Sequence, residues 1–422
     1  MIQDPTNLLH TRNDRTAMTG RLTDMLNVVS REDAVSCVLR HTQRTDVGTQ
    51  TVPLFSAAGR TLACGVTAAE DVPAFDRTTV DGYAVRAADT FGASAAIPAQ
   101  LEVVGTVGMG EAPRFSVGAG QCAAISTGGM LPQGADAAVM VEHTDDADGL
   151  CLVYRAAAPG ENITRRGDDI AAGSVALRAG TRIGVPQIGV LSALGVYDVT
   201  VFKKPVIAVL STGDELVRGR PALGQVRDVN GYLLCALIER AGAEPLFCGA
   251  VPDDRAKIAA ALRDCLGKAD AVLISGGSSA GTRDMTVGIL DELGEVYFHG
   301  IAMKPGKPTI FGTAGGKPVF GLPGHPLAAY FVFRLVVADY LRALLHADAD
   351  KPVRAAALST NIPSNHGREE FLCVRLGENG EAIPLYTKSG VISVLSAADG
   401  FIRIPRDTEG LQKGACVEIY EL

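Results

Sequence analysis

The stretch ADAVLISGGSSAGTRD, residues 269–284, decides the fold. Its first part, Ala269 to Ile274, is a short apolar run of the kind that forms a strand buried on both faces. Ser275 to Asp284 then supplies small and polar residues, with an arginine and an aspartate at the far end. Gly276, Gly277 and Gly281 permit close approach of the backbone to a bound group. Taken alone, the loop fits an ordinary turn and a cradle of N–H groups for an anion equally well.

The same grammar extends to both sides. VIAVL (206–210) reads as a buried strand, Asn230 to Ala241 as a helix, PLFCGAV as a strand and Asp254 to Leu266 as a helix. Beyond the loop, Asp284 to Leu293 reads as a helix, with EVYFHGIAM as the next strand. Such alternation predicts βαβ units in a mostly parallel sheet covered on both faces. Pro326 to Leu345 is the longest apolar run. Arg334, Asp339 and Arg342 interrupt it, so it reads as a buried helix and not as a membrane span.

Upstream, Arg31 to Leu39 has helical periodicity. The runs LEVVG, CAAIS, DAAVMVE and LCLVY between Leu101 and Arg155 read as strands of a small all-β module. GENITRRGDD (160–169) reads as a loop. The last seventy or so residues, with EEFLCVRL, AIPLY, GFIRIP and ACVEIYEL, fit a small β-barrel or sandwich. Residues 1–20 read as a loose polar tail with no apolar core of a signal peptide.

A net charge of −8 argues against a broad nucleic-acid-binding surface. Nine scattered cysteines, none in a C-x-x-C pair, read as reduced thiols of a cytoplasmic protein, with no zinc site.

In an open α/β sheet, ligands sit beyond the carboxyl ends of the strands. Three such ends carry functional groups: STGDEL (211–216), VPDD (251–254) and the opening loop. They bring Asp214, Glu215, Asp253, Asp254 and Asp284 toward one edge. Carboxylates beside an anion-binding loop suit Mg²⁺ bridged to phosphate, although any one of them also serves as a helix or turn cap. MKPGKPTIFG (303–312) adds Lys304 and Lys307 on a turn stiffened by proline. LPGHP (322–326) places His325 before Pro326, the first residue of the long helix. In the N-terminal half, Asp76, Arg77, Thr78, Thr79 and Asp81 crowd one segment, and Ser126 and Thr127 precede a strand. Spacing assigns no mechanism to either.

The motif set as a whole resembles one family, the molybdopterin molybdenumtransferases (MoeA proteins and the gephyrin E domain). The resemblance runs from about residue 25 to the end and is carried by VPAFD, DGYAVR, STGGMLPQGADAAVM, GEN, RRGDDI, STGDEL, DVN (228–230), GGSSAGTRD, MKPGKP and LPGHP. It implies an α/β multidomain protein with a three-layer αβα molybdopterin-binding domain (204–347). An inserted β-rich domain (66–171), a helical connecting domain (21–65 and 172–203) and a C-terminal β-barrel (348–422) complete the expected architecture.

The implied activity is molybdenum-cofactor biosynthesis, the insertion of molybdate into adenylylated molybdopterin with release of AMP. Mg²⁺ is the implied cofactor, held by Glu215, Asp253 and Asp284. Those three, with Asp81, Thr127 and Lys304, are the implied catalytic residues. Asp169, Thr212, Gly213, Asp214, Gly276, Gly277, Ser278, Ser279, Gly281, Lys307, Pro323, Gly324, His325 and Ser389 are the implied substrate contacts. The family's homodimer would bring Asp81 and Thr127 to the site of the other subunit, and other cofactor-biosynthesis proteins are further implied partners. A non-catalytic pterin-binding scaffold and a CinA-like nucleotide pyrophosphatase are the alternatives. The chain departs from the family pattern at Thr164 and Gly300, where relatives are often basic, at His325 and Ala328 in PGHPLA, and at Thr282 in the glycine loop.

Overall fold

In the computed structural model, residues 28–42, 46–276 and 280–422 are described, with side chains from Asp284 onward in the last stretch. The expected tail at 1–20 and loop residues Gly277, Ser278 and Ser279 lie outside them, as does the side chain of Thr282. A central six-stranded sheet has the spatial order 244–251, 206–212, 271–276, 317–322, 310–314, 294–299. The first four strands are mutually parallel, and the two remaining pairings are antiparallel. Along Val206–Thr212, Ile207 and Val209 enter one core, whereas Ala208 enters the other. Ala271–Gly276 divides in the same way, with Ala271 and Leu273 on one face and Val272 and Ile274 on the other. A strand buried on both faces has no polar side, which is why these runs are continuously apolar.

Helix Asn230–Arg240 and the long segment from Pro326 cover the first face. Helices Arg255–Lys268 and Ala280–Leu293 cover the second. The long segment runs Pro326–Val332, through a π-turn at Phe333–Val337, into Ala338–Leu344. Phe331, Phe333, Tyr340 and Leu341 are almost fully buried there, so its apolar run is core and not membrane span. Among the described residues, no helix is long and apolar enough to cross a membrane.

Two expectations change in detail. The helix expected from Asp284 begins at Ala280, so Asp284 sits beyond its first turn and not at its positive end. Ala280 to Thr282, which in sequence continue the loop, belong to that helix. EVYFHGIAM is also not one strand. Gly294–His299 ends at Gly300, whose φ of +137° turns the chain away. Met303–Lys304 then pairs with Glu369 and Glu370 of the C-terminal domain.

That domain closes into a barrel. Strand Glu369–Leu376 pairs with Ala382–Pro384 and Gly400–Ile404, and Arg354–Ala357 pairs with Cys416–Ile419. Single bridges Leu358–Ala382 and Phe401–Tyr420 complete the ring. The N-terminal half carries a second six-stranded sheet, ordered 137–140, 82–85, 121–125, 99–107, 150–153, 144–147. Strands Thr49–Pro53 and Asp198–Phe202 pair antiparallel, beside helix Val185–Ala193. Helix Arg31–Thr42 packs instead against the α/β core through Ala34 and Val38.

Candidate functional site

From strand 206–212 the chain crosses to 244–251 on one side and then returns to 271–276 on the other. The crevice between the carboxyl ends of 206–212 and 271–276 is therefore the switch point where such sheets bind ligands. Thr212 and Gly276 face each other there. Gly276 has φ +146°, and a Cβ on it would lie 2.2 Å from the Thr212 carbonyl oxygen. Replacing Gly276 by alanine should thus destabilise the protein by about 2 kcal/mol or more, visible as a lower urea midpoint. An unchanged midpoint would mean that the two strand ends are not so closely apposed.

A cleft of about 410 Å³ opens at this point, bordered by Thr212, Glu215, Asp228, Asn230, Ser275 and Gly276. Four polar atoms at or beneath it are buried without a hydrogen-bond partner among the described residues: Ser211 Oγ, Thr212 Oγ1, Asp228 Oδ2 and Asn230 Oδ1. Desolvated polar atoms of this kind are costly unless something pairs with them, on the order of 1–3 kcal/mol each. Their neighbours are already engaged. Asn230 Nδ2 donates to Ser275 Oγ (2.8 Å) and to the Gly324 carbonyl (2.9 Å). It also reaches the Pro323 carbonyl at 3.4 Å. Asp228 Oδ1 accepts from the Gly231 N–H at 2.9 Å.

The carboxylates divide. Asp254 accepts from the Lys257 N–H at 2.9 Å and caps helix 255–268. Asp214 accepts from the Asp253 N–H at 3.1 Å and ties two strand-end loops together. Glu215 and Asp284 are exposed, and the Glu215 carboxylate lies over Gly213, where a Cβ would meet Oε2 at 2.7 Å. Among the described residues, no three His, Cys, Asp or Glu side chains converge on one metal-sized point. The expected set Glu215, Asp253 and Asp284 is therefore not a ready-made cage.

His325 and Gly390 border both this cleft and a second, of about 700 Å³, between the α/β domain and the barrel. His325 Nδ1 and Ser389 Oγ are 2.8 Å apart, and Leu327 N–H donates to the Ser389 carbonyl at 3.1 Å. The barrel loop thereby docks on the start of the long helix. The second cleft is bordered by Lys304, Lys307, Arg368 and Lys388, with Glu370 as the acidic counterpart. Lys304 Nζ pairs with Glu370 at 2.7 Å. Lys307, half-buried, has no ion-pair partner among the described residues. Gly306 keeps the turn against the helix, where a Cβ would lie 2.8 Å from Val332 Cγ2. Ala328 is buried on the wall of this cleft.

The motifs of the N-terminal half gather elsewhere. Thr127 N–H donates to the Asp81 carboxylate at 2.8 Å. Arg166 N–H donates to Asp76 at 2.7 Å, and its guanidinium bonds Asp71 at 2.6 Å. The Ala172 N–H, together with Arg166, holds the Asp71 carboxyl below the usual carboxylate range. Asp169 is exposed in the same loop cluster, with its N–H on the Val72 carbonyl. Ile163–Thr164 pairs with Arg77–Thr78, so the segment read as loop carries a short strand. No residue bordering either cleft comes from this inserted sheet or its loops.

Sequence reasoning did not single out Ser211, Asp228, Asn230, Arg368, Glu370 or Lys388. Ser211 stood in STGDEL and Asp228 and Asn230 in the DVN motif; the others had no local signal.

Two adjoining clefts, one at a sheet switch point and one between that sheet's domain and a barrel, define the class: an α/β protein with a binding crevice at its strand ends. Residues 29–195 match the MoeA N-terminal region (domains I and II), 208–343 a probable molybdopterin binding domain, and 355–422 the MoeA C-terminal region (domain IV). The molybdopterin molybdenumtransferase of Bacillus subtilis is 34% identical, over 88% of this chain and 89% of that protein. Molybdopterin molybdenumtransferase 2 of Mycobacterium tuberculosis is 32% identical, over 88% and 95%. A solved MoeA molybdopterin-biosynthesis protein of Pyrococcus horikoshii superposes with a TM-score of 0.77 at 33% identity, over 94% of this chain and all of that one. A second structure from that organism gives 0.69 at 41% identity, over 93% and 99%. The chain belongs to the MoeA family.

Proposed function

We propose that this protein is a molybdopterin molybdenumtransferase of the cytoplasm, which inserts molybdate into adenylylated molybdopterin and releases AMP. The observation that carries the reading is the pair of adjoining clefts, one lined by unpaired polar atoms and the other by cations. An adenylylated pterin has a donor-rich ring and a charged pyrophosphate, and so needs both kinds of surface. Asp228 and Asn230 border the first cleft, and their buried acceptors Asp228 Oδ2 and Asn230 Oδ1, without donors among the described residues, would suit the amino and ring N–H groups of a pterin once turned toward it. Thr212, Gly213 and Gly276, at the carboxyl ends of their strands, would lie beside the pyrophosphate. Lys304, Lys307, Arg368 and Lys388 supply positive charge for phosphate and for molybdate as substrate.

The exposed carboxylates Glu215 and Asp284, with Asp253 at the adjacent strand end, fit Mg²⁺ that is shared with phosphate oxygens, since that ion commonly takes one or two carboxylates. Mg²⁺ bound there would neutralise pyrophosphate charge as the linkage to AMP breaks. Lys304 is held by Glu370 in the free protein and becomes available to an anion that competes for it. The protein acts as a homodimer in this reading, with Asp81, Thr127 and Asp169 facing the clefts of the other subunit. The absence of inserted-domain residues from the clefts of their own chain supports it.

Molybdate should be required at higher concentration than in relatives with basic residues at the positions of Thr164 and Gly300. One unit charge about 4 Å from a dianion contributes on the order of 2–8 kcal/mol before salt and desolvation reduce it. Restoring charge at Gly300 would strain the backbone, since φ is +137° and the residue is buried. Thr164, half-buried on a short strand, accepts a longer side chain. Thr164→Arg should therefore lower the half-saturating molybdate concentration about threefold or more, measured in turnover assays at fixed pterin. An unchanged or higher value would remove Thr164 from the oxyanion site.

Expression in a strain lacking its own molybdenumtransferase tests the function as a whole. Restored molybdoenzyme activity is expected; failure with soluble protein would favour the pterin-binding scaffold.

A further inference from the structure

A third cleft, of about 560 Å³, opens where the connecting region, the α/β domain and the start of the barrel domain meet. Arg182, Arg240, Arg334, Arg342 and Lys351 border it, against Asp348, Asp350 and Glu421. It lies at the far end of helix 230–240 from Asn230, so roughly 15 Å of helix separates it from the pterin cleft.

Three of its arginines are accounted for. Arg240 pairs with Glu421 at 3.1 Å, and Asp350 receives Arg334 at 3.1 Å and Arg342 at 2.9 Å. Arg240 and Arg342 also lie in the last turns of helices, where cations are favoured. Arg182 has none of these reasons. It lies in a segment where it is bridged antiparallel to Thr61, and its guanidinium makes no hydrogen bond or ion pair among the described residues. Gly180 fixes that segment in place, because a Cβ there would lie 2.2 Å from the His346 carbonyl oxygen. Burial and the nearby Arg240 charge push the Arg182 pKa down, against the smaller opposing pull of the Asp350 carboxylate. Arg334 adds a buried Nε with no acceptor.

We infer that this cleft is a second anion site, separate from the pterin clefts, which takes a small phosphate-bearing ligand of inorganic phosphate to mononucleotide size. Its volume falls in the range of small-molecule pockets. Guanidinium groups match the paired oxygens of a phosphate in two-point contacts. A bound phosphate would join Arg182 to the α/β domain and pin the connecting region against the barrel linker.

Thermal unfolding and calorimetric titration with sodium phosphate, against sodium chloride at equal ionic strength, test this. The pterin clefts also hold cations, so the full chain is compared with its Lys304→Ala/Lys307→Ala variant. Phosphate should still bind and stabilise that variant. Adding Arg182→Gln should weaken binding at least about tenfold, with the midpoint in chloride unchanged or higher because an unpaired charge is gone. Arg182→Lys, which keeps charge but loses the fork, should also weaken phosphate binding and decides the matter if the glutamine variant does not fold. A response equalled by chloride, a response lost with the two lysines alone, or phosphate binding untouched by changing Arg182 would each overturn the inference. The second outcome would leave the pterin-site reading standing.

Discussion

Glu215→Gln and Asp284→Asn should each reduce molybdate-dependent AMP release by on the order of a hundredfold while the protein stays folded. Glu215 borders the switch-point cleft and Asp284 lies early in helix 280–293; both are exposed, so neither substitution removes a buried packing contact. In the proposed reading, what each removes is negative charge toward Mg²⁺ shared with pyrophosphate. Asp254→Asn is the informative contrast. Its carboxylate caps helix 255–268 through the Lys257 N–H, and asparagine caps nearly as well. Turnover by that variant should stay within a few-fold of the parent. If the Glu215 and Asp284 variants keep full turnover at limiting Mg²⁺, these carboxylates do not hold the metal.

Activity should return when two inactive chains are combined. In the proposed dimer, Asp81 and Asp284 of one chain serve different sites. Co-expressed Asp81→Asn and Asp284→Asn chains then form mixed dimers in which one site carries both lesions and the other carries none. Random pairing leaves about one quarter of all sites intact. Within one chain, Asp81 is occupied by the Thr127 N–H in the loops of the inserted sheet, and no residue of that region borders either cleft. A mixture as inactive as its parents would place both residues at the same subunit's site or exclude the dimer.

The α/β core was legible because its strands are apolar without interruption and its helices periodic. VIAVL and AVLIS needed only that reading. The start of helix 280–293 was hidden because Ala280, Gly281 and Thr282 look like more of the glycine loop. The break at Gly300 was equally invisible. Its φ of +137° follows from the chain leaving one domain to pair with another, which no local pattern encodes. Among site residues, the strand-end positions could be found from sheet topology. Asp254 was indistinguishable from Glu215 until its capping bond was seen. Glu370 and Arg368 reach the lysine cleft from a different domain, and Arg182 meets Arg240 and Arg334 across three regions of the chain. Such meetings are made by tertiary folding alone.

In the proposed reaction, molybdate insertion and loss of the nucleotide are coupled at the adjoining clefts. Purified protein, adenylylated molybdopterin and Mg²⁺ should give little AMP until molybdate is added. AMP and molybdenum-loaded pterin should then appear in equal amounts. AMP released at the same rate without molybdate would make the protein a nucleotide pyrophosphatase of the CinA kind, and tight pterin binding with no AMP under any condition would make it a scaffold; either result would contradict the account.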